Sequence, residues 1–420
     1  MGSTLDLPLP AQRRAQRSAF RGALEQMRGR KAPIAATEAS RRRSQLVTSI
    51  LLSSYDPEAV VAWRSSLAPS EMFFALGVVP FFIESVSSVL SSAQAYYDPL
   101  DVSAARHYSK DCCTFMRTVV GSMELDLLPT PDFLVGMNFY CDVEPKVADV
   151  AASHYGKPHF LIEIPSGGDE RERIEYLAGQ IERTMRAMAE SMGRPVDMDQ
   201  LARVIERSNR ARAHFLEAMR LRRSIPSPIR GREMIDNAAI IANTWGTEGI
   251  VEIYRQLADE IRERVRQGMP AVEGERFRIL WRHLRPYFDD EVFDYLELEK
   301  KAVVVYEEIN HVYWDEMDPA DPFRSLARKV LSNPSIGPMR RWVEKTVQVA
   351  KEFRIDGIIA VNQWGCRYLD SPSQYTKTVL RSEGIPALVL DLDLIDRRNY
   401  SEGQARTRID AFVELLENRG

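Results

Sequence analysis

The 420-residue chain is too long for one ordinary hydrophobic core, so two or three domains are expected. Its 45% hydrophobic and 28% charged residues indicate a soluble globular protein, and a net charge of −4 gives no general case for nucleic-acid binding. The longest apolar run, residues 73–83, is much shorter than the roughly 20 residues that span a bilayer. Because the first residues also lack a secretory signal pattern, we expect a cytoplasmic protein with no membrane segment.

Residues 1–48 are basic, with ten Arg or Lys against three Asp or Glu (10 − 3 = +7). We interpret them as a solvated, partly helical N-terminal arm, because basic runs usually lie on exposed faces. Contact with a phosphate-bearing ligand or an acidic partner is the alternative.

Strand and helix patterns alternate over residues 49–168, which predicts a first α/β domain. The predicted elements are helices over 57–67, 69–77 and 143–155, a helix opening at Cys113, and strands over 78–83, 133–137 and 158–164. Residues 85–108 show no regular pattern. Strand, helix and strand at this spacing predict a parallel sheet.

No strand pattern occurs from about 169 to 270, where three charged, periodic segments predict a helical region packed on or between the α/β domains. The α/β pattern returns over 271–420. There the predicted strands cover 276–281, 302–306, 387–391 and the apolar run before Gly365, and the predicted helices cover 291–300, 323–331, 338–353, 371–383 and 405–416. Ser401 and Gln404 have capping-box spacing before the last helix. The expected fold is two doubly wound (Rossmann- or flavodoxin-like) parallel-sheet domains with a helical insert and an N-terminal helical arm.

Three cysteines lie where ligands bind in such folds. Cys141 and Cys366 each follow a predicted strand, Cys113 opens a helix, and Asp142 is a candidate cap for the helix after Cys141. Each thiol is beside a predicted helix N-terminus, whose partial positive charge favours the thiolate that binds metal. Buried core thiols are the plain alternative, and separations of 28 (141 − 113) and 225 (366 − 141) residues match no local iron–sulfur pattern. Glycine-rich nucleotide loops and the common hydrolase motifs are absent, and the six histidines lack ligand spacing.

The chain resembles the D-component family, which contains the subunits of 2-hydroxyacyl-CoA dehydratases and of ATP-dependent benzoyl-CoA reductases. The resemblance runs from about residue 50 to the C-terminus. It is carried by Asp111-Cys-Cys113-Thr-Phe-Met-Arg117, Pro131-Asp-Phe-Leu through Cys141, Pro226-Ser-Pro228, Asp356-Gly-Ile-Ile through Trp364-Gly-Cys-Arg367, and Asp391-Leu-Asp393 through Gln404.

The resemblance implies a 4Fe-4S cluster held by Cys113, Cys141 and Cys366, with one iron open to a thioester carbonyl or to water. Cys113 matches the family ligand because Thr114, Phe115 and Arg117 follow it, and Cys112 is then an adjacent unused thiol. The implied reaction is removal of water from a 2-hydroxyacyl-CoA through a ketyl radical anion made by one low-potential electron. Electron transfer into an aromatic acyl-CoA ring is the alternative reaction.

The implied partners are a homologous second subunit, in a heterodimer or homodimer, an ATP-dependent iron–sulfur activator protein, and the acyl-CoA substrate. A non-catalytic cluster-bearing subunit and a structural zinc on three thiolates remain alternatives.

Several polar residues are candidate catalytic groups. Glu71 and Glu84 flank the predicted 78–83 strand, and either is a candidate base. Arg367, beside Cys366, could stabilise an anionic cluster or ketyl, or simply pair with an acid. Ser401, Glu402 and Gln404 could bind a thioester oxygen or a phosphate at a helix start, or only cap the helix.

Overall fold

The computed structural model describes Gly22 and residues 37–139, 141–237, 243–288 and 291–419. This part contains two four-stranded sheets in which every neighbouring pair of strands is parallel. The strands are β1 Val61–Arg64, β2 Val79–Phe82, β3 Phe133–Met137 and β4 His159–Ile162 in the first sheet, and β5 Phe277–Arg282, β6 Ala302–Glu307, β7 Gly357–Gln363 and β8 Ala387–Leu392 in the second. The predicted α/β fold class with two parallel sheets is confirmed. The domain boundaries remain a prediction.

The two sheets share one strand order. The first runs β2-β1-β3-β4 and the second β6-β5-β7-β8. In each sheet the first two strands are added toward one edge and the next two toward the other, so the strand order reverses between the first and third strands, β1/β3 and β5/β7. In open α/β sheets, ligands bind in the crevice outside the carboxyl ends of the strands at such a switch point. The fold therefore offers one crevice at β1/β3 and another at β5/β7.

Helices cover both sheets and form most of the segment between them. The helices that lie within the described residues are Glu38–Ser53, Ser70–Ala75, Glu84–Ser92, Tyr97–Ala105, Thr114–Glu124, Glu144–Tyr155, Glu170–Ser191, Met198–Leu221, Gly231–Met234, Glu248–Arg266, Glu291–Asp294, Pro322–Leu331, Met339–Glu352, Arg367–Asp370, Ser373–Ser382 and Glu402–Glu417, with a π-helical turn at Tyr295–Glu299 and 3-10 turns at Glu308–Asn310 and Arg397–Asn399. None of them is both long enough and apolar enough to cross a membrane.

The predicted helical region is present. Its three long helices bury one face each, because their apolar residues recur at helical spacing, as in Leu201, Ile205 and Phe215. Phe215 lies 4.7 Å from the ring of Tyr254 on the neighbouring helix, measured between ring centres. No strand occurs between residues 169 and 268 where the structure describes the chain.

The predicted solvated arm is wrong for its last residues. Helix Glu38–Ser53 packs against helix Glu248–Arg266, and Arg43 is buried and donates a hydrogen bond to the carbonyl oxygen of Glu233 at 2.7 Å. The basic runs at 13–14 and 28–31 lie outside the described residues. Residues 37–48 therefore belong to the packed helical region.

The predicted helix over 57–67 is also wrong, because this segment contains β1. All four β1 residues are buried, so the strand shows no alternation of apolar and polar residues. A short, fully buried strand cannot be distinguished from a buried helical turn by periodicity. The predicted first strand is consequently the second, β2.

Residues 85–108, where no element was predicted, include two helices, Glu84–Ser92 and Tyr97–Ala105. The first is rich in serine, and its hydroxyls bind carbonyl oxygens of distant segments. Ser87 donates to Phe115 at 2.7 Å, and Ser91 donates to Ile395 at 2.9 Å. Because hydroxyls occupy the buried face, the apolar periodicity that marks a helix is missing.

Two predicted helix caps are absent. Ser401 precedes helix Glu402–Glu417, but its side chain makes no capping hydrogen bond. The helix after Cys141 begins at Glu144, so Asp142 lies one residue outside the capping position, and Val143 occupies it.

A fully buried ion pair ties the helical region to the second sheet. Arg222, just past helix Met198–Leu221, donates two hydrogen bonds, of 2.8 and 2.7 Å, to the carboxylate of Glu307 at the end of β6. Both side chains are completely buried. Loss of one partner would leave an uncompensated charge in a low-dielectric interior.

We expect Arg222→Met to lower the free energy of unfolding by about 3–5 kcal/mol, because Glu307 then stays buried without its partner. The neighbouring Arg223→Met is the matched control, since Arg223 pairs with Glu352 at the surface, where such pairs contribute about 0–1 kcal/mol. Urea unfolding followed by circular dichroism measures both changes. Equal destabilisation by the two variants would contradict this assignment.

Candidate active site

A cavity of about 320 Å³ lies at the carboxyl ends of strands from both sheets. Arg64 ends β1, Cys141 follows β3, His283 follows β5 and Cys366 follows β7, and all four line the cavity. Cys113, at the start of helix Thr114–Glu124, lines it as well. The structure thus brings the three predicted ligand cysteines to the wall of one cavity.

Hydrogen bonds across the two sheets fix the segment that carries Cys113. Thr114 donates from Oγ1 to the Asp393 carboxylate at 2.7 Å and accepts from the Gln363 amide nitrogen at 2.7 Å. Gln363 is the last residue of β7, and Asp393 directly follows β8. The first-sheet helix that begins after Cys113 is therefore anchored to the second sheet, beside Cys366.

Gly365 allows Cys113 and Cys366 to approach each other. Its backbone has φ +79°, and a Cβ atom there would lie 2.7 Å from the backbone nitrogen of Cys113 and 2.8 Å from the carbonyl oxygen of Asp111. No side chain fits between these backbones. Glycine before Cys366 is thus required by the contact between the two loops.

Cys141 is oriented by the loops that follow β1 and β3. Its sulfur accepts a hydrogen bond from the backbone N–H of Glu144 at 3.3 Å. The Glu144 carboxylate accepts from the backbone N–H and the hydroxyl of Ser66, at 3.0 and 3.1 Å. These bonds hold the loop after β3 against the loop after β1, at the switch point of the first sheet.

The predicted stabilisation of thiolates by helix N-termini is outweighed by burial. Burial raises the pKa of Cys113 and Cys141 well above the ordinary range, and raises that of Cys366 to about 12. Nearby carboxylates, Glu84 among them in all three cases, raise these pKa values further, and backbone N–H groups only partly oppose the shift. The thiols are therefore neutral until a cation displaces their protons.

The three thiols are soft donors of the kind that iron–sulfur clusters use. Within the described residues, no three His, Cys, Asp or Glu side chains are grouped closely enough to hold one metal ion. A cubane cluster binds each thiolate through a different iron, so its ligands are spread around it. Three thiols around one cavity provide soft ligands of that kind.

Cys112 also lines this cavity and is partly exposed. It lies on the same loop as Cys113, so the structure leaves its predicted status as an unused thiol untested.

Glu71 lies close to the cavity but does not line it. It is fully buried and accepts hydrogen bonds from the Lys329 ammonium at 2.6 Å and from the Ser208 hydroxyl at 2.7 Å. Burial alone would raise the pKa of Glu71, but Lys329 and these hydrogen bonds hold it below its ordinary value. Glu71 is thus a paired carboxylate, and its role as a base remains a prediction.

The other predicted catalytic residues are divided between the cavity and the surface. Arg367 lines the cavity, is exposed and has no ion pair among the described residues. Ser401, Glu402 and Gln404 do not line it, and Glu402 pairs with Arg406 at 2.9 Å. The structure therefore places Arg367 with the cysteines and leaves the other three apart from them.

Sequence reasoning missed the buried cations of the cavity wall. Arg64 uses one nitrogen to donate to the carbonyl oxygens of Ser65 and Ala68, at 2.8 and 2.7 Å. Its Nε and other terminal nitrogen have no hydrogen-bond partner in the part of the chain that is described. Lys329 lines the cavity above the ring of Trp314, 4.5 Å from its centre. Arg64 was missed because β1 was predicted as a helix. Lys329 was missed because the periodic pattern of its helix, Pro322–Leu331, does not show which residues face a cavity.

Comparison with known families decides the assignment. The family model for the 2-hydroxyglutaryl-CoA dehydratase D-component matches residues 65–416, which is most of the chain. The chain belongs to this family. The predicted resemblance to the D-component family is confirmed.

Known dehydratase and reductase subunits are similar to this chain at low identity. The (R)-phenyllactyl-CoA dehydratase alpha subunit of Clostridium sporogenes is 24% identical over 369 residues, covering 85% of this chain and 89% of that protein. The alpha subunit of lactoyl-CoA dehydratase from Anaerotignum propionicum is 22% identical over 385 residues, covering 85% and 91%. A subunit of benzoyl-CoA reductase from Thauera aromatica is 23% identical over 351 residues, covering 76% and 80%. These relatives include both dehydratase and reductase subunits.

We expect Gly365→Ala to destabilise this D-component protein more than Gly384→Ala. Both glycines have positive φ, +79° and +73°, but a Cβ at Gly384 meets nothing within 4 Å. The additional loss for Gly365→Ala should be about 1–3 kcal/mol, the usual cost of overpacking. Thermal unfolding of the two variants measures the difference, and equal losses would show that the contact with the Cys113 loop is unimportant.

Proposed function

We propose that this chain is the 4Fe-4S subunit of a 2-hydroxyacyl-CoA dehydratase-type enzyme and that Cys113, Cys141 and Cys366 hold the cluster. The observation that carries the proposal is the arrangement of these thiols. They come from three separate loops of two sheets and line one cavity. The family match supports an enzyme component, and the names of the relatives support an acyl-CoA thioester as the substrate.

A three-ligand cluster, when bound, supplies a low-potential electron and an open iron with Lewis-acid character. The chain's own residues hold and shield that position. Gly365 lets the Cys113 and Cys366 loops meet, and the Glu144–Ser66 bonds orient Cys141. Apolar groups such as Phe115 and Leu284 form part of the cavity wall and exclude water from the reacting thioester.

Cations around the cavity would bind the oxygens of the substrate. Arg64 has unpaired nitrogens beside the cavity, and Arg367 lies at its exposed side. We assign Arg64 to the developing negative charge near the thioester and Arg367 to an anionic group, either the cluster or a CoA phosphate. Catalytic roles for Glu71, Ser401, Glu402 and Gln404 remain predictions that this cavity does not support.

Two protein partners are included in the proposal. The relatives are named as individual subunits, and both an alpha and a beta subunit of the phenyllactyl-CoA enzyme are similar to this chain, which supports a homologous second subunit. The resemblance to the D-component family implies a separate ATP-dependent iron–sulfur activator as the electron donor, and the sequence itself lacks the common nucleotide-binding loops.

An aryl-CoA reductase subunit is the second candidate function. The observation in its favour is that the benzoyl-CoA reductase subunit is about as similar to this chain as the dehydratase subunits are. Both enzymes would need the same three-thiol site.

Anaerobic purification followed by iron and sulfide analysis tests the cluster. We expect about four iron and four sulfide per chain in the wild type and in Cys112→Ser. Each of the Cys113→Ser, Cys141→Ser and Cys366→Ser variants should lose most of both. Zinc without sulfide in the wild type, or full iron in Cys113→Ser, would refute the ligand assignment.

Product analysis tests the reaction. With the second subunit, activator, ATP and a strong reductant, we expect (R)-lactoyl-CoA or (R)-phenyllactyl-CoA to lose water and give the corresponding enoyl-CoA. Liquid chromatography with mass spectrometry detects that loss. Reduction of benzoyl-CoA without any dehydration would favour the reductase instead.

A further inference from the structure

We propose that Asp393 is a positioning residue that lowers the reduction potential of the cluster. Its buried negative charge is held beside Cys113 by a hydrogen bond from Thr114, the residue that follows this cysteine. The inference rests on the proposed function, because it needs an iron–sulfur cluster on Cys113, Cys141 and Cys366. Asp393 itself neither lines the cavity nor belongs to the candidate ligands.

The hydrogen bonds around Thr114 have a fixed direction. The side-chain oxygen of Gln363 accepts from the backbone N–H of Leu394 at 2.7 Å, so the side-chain nitrogen of Gln363 faces Thr114. That nitrogen donates to Thr114 Oγ1 at 2.7 Å, and the Thr114 hydroxyl therefore donates to Asp393, also at 2.7 Å. A chain of donors thus runs from the end of β7 through Thr114 to the Asp393 carboxylate.

The Asp393 carboxylate has donors as its only partners. Besides the Thr114 hydroxyl, it accepts from two backbone N–H groups and one side-chain amide. These belong to Ile395 and Asp396, both at 3.0 Å, and to Asn399 at 2.9 Å. Since every partner donates, a protonated carboxyl group would have no acceptor for its proton. The contacts therefore fit the ionised form.

No cation balances this charge. Asp393 is fully buried, and the groups that it contacts are neutral. In the described part of the chain, no Lys, Arg or His side chain lies within ion-pair distance of it. Asp396, three residues further on, is buried as well, but it pairs with Arg398 at 2.8 Å. Asp393 is thus the uncompensated carboxylate of this segment.

Packing alone does not explain an aspartate at position 393. Asparagine has nearly the same shape, and its oxygen could accept three of the four hydrogen bonds, from Thr114, Ile395 and Asp396. A buried charge without a counter-ion costs stability that a neutral amide does not. The charge itself therefore points to a function.

The charge lies where it acts on the proposed cluster. Thr114 joins Asp393 to the Cys113 segment. Gln363, at the other end of the donor chain, accepts the backbone N–H of Cys366 through its carbonyl oxygen at 2.9 Å. In a low-dielectric interior, a negative charge opposes the addition of an electron to a nearby group, and net charge and burial both set cluster potentials. Asp393 therefore makes the reduced cluster a stronger electron donor.

Asp393→Asn tests the proposal through the reduction potential, measured by anaerobic redox titration followed by electron paramagnetic resonance. We expect a shift to more positive potential with iron and sulfide contents unchanged, because the charge is lost and most hydrogen bonds remain. Asp391→Asn is the matched control. It removes the same charge from an exposed side chain near Arg408, where solvent and salt screen it, so the potential should stay close to wild type.

Asn399→Lys is a second variant, which leaves Asp393 in place. Asn399 is exposed and donates to Asp393, so a lysine there can bring an ammonium group to the carboxylate without altering the Thr114 and Gln363 bonds. We expect this added cation to shift the potential in the same positive direction.

Potentials equal to wild type in both Asp393→Asn and Asn399→Lys overturn the proposal. Equal shifts in Asp393→Asn and Asp391→Asn also overturn it, because they would show an effect of net charge alone. Loss of iron from Asp393→Asn with an unchanged potential in the remaining clusters overturns it too, because the residue is then only structural. Wild-type protein without iron and sulfide overturns the proposed function instead, so the two failures are distinguishable.

Discussion

The contact between the Cys113 loop and the Gly365–Cys366 turn determines the shape of the site. It joins segments about 250 residues apart, and it exists because Gly365 has no side chain and because Gln363 and Asp393 both bind Thr114. Each sheet alone would present an ordinary switch-point crevice. Because the loop contact holds the two sheets together, their two crevices form one cavity with the three thiols on its wall. A catalytic cofactor needs ligands that are held in fixed positions in this way.

Burial sets the chemistry of that cavity. It raises the pKa values of the three thiols, so these thiols are neutral in the metal-free protein. Cationic iron would reverse this for the cysteines, because metal binding displaces thiol protons.

The sequence predicted well those elements whose patterns are local. The long periodic helices and the apolar strands ending near Cys141 and Cys366 were found, as was the parallel α/β class. Elements stabilised by distant contacts were missed. The buried β1 has no alternation, and the serine hydroxyls of helix Glu84–Ser92 bind carbonyl groups far along the chain. The pairing of Glu71 with Lys329, 258 residues away, likewise leaves no local signal.

Anomalous X-ray diffraction at the iron edge, on crystals of the anaerobically purified chain, is the decisive test of the three-cysteine cluster site. We predict strong anomalous density in the cavity, within bonding distance of the sulfurs of Cys113, Cys141 and Cys366 and leaving one iron without a protein ligand. Density at the zinc edge only, or iron bound away from any one of these three sulfurs, would contradict it.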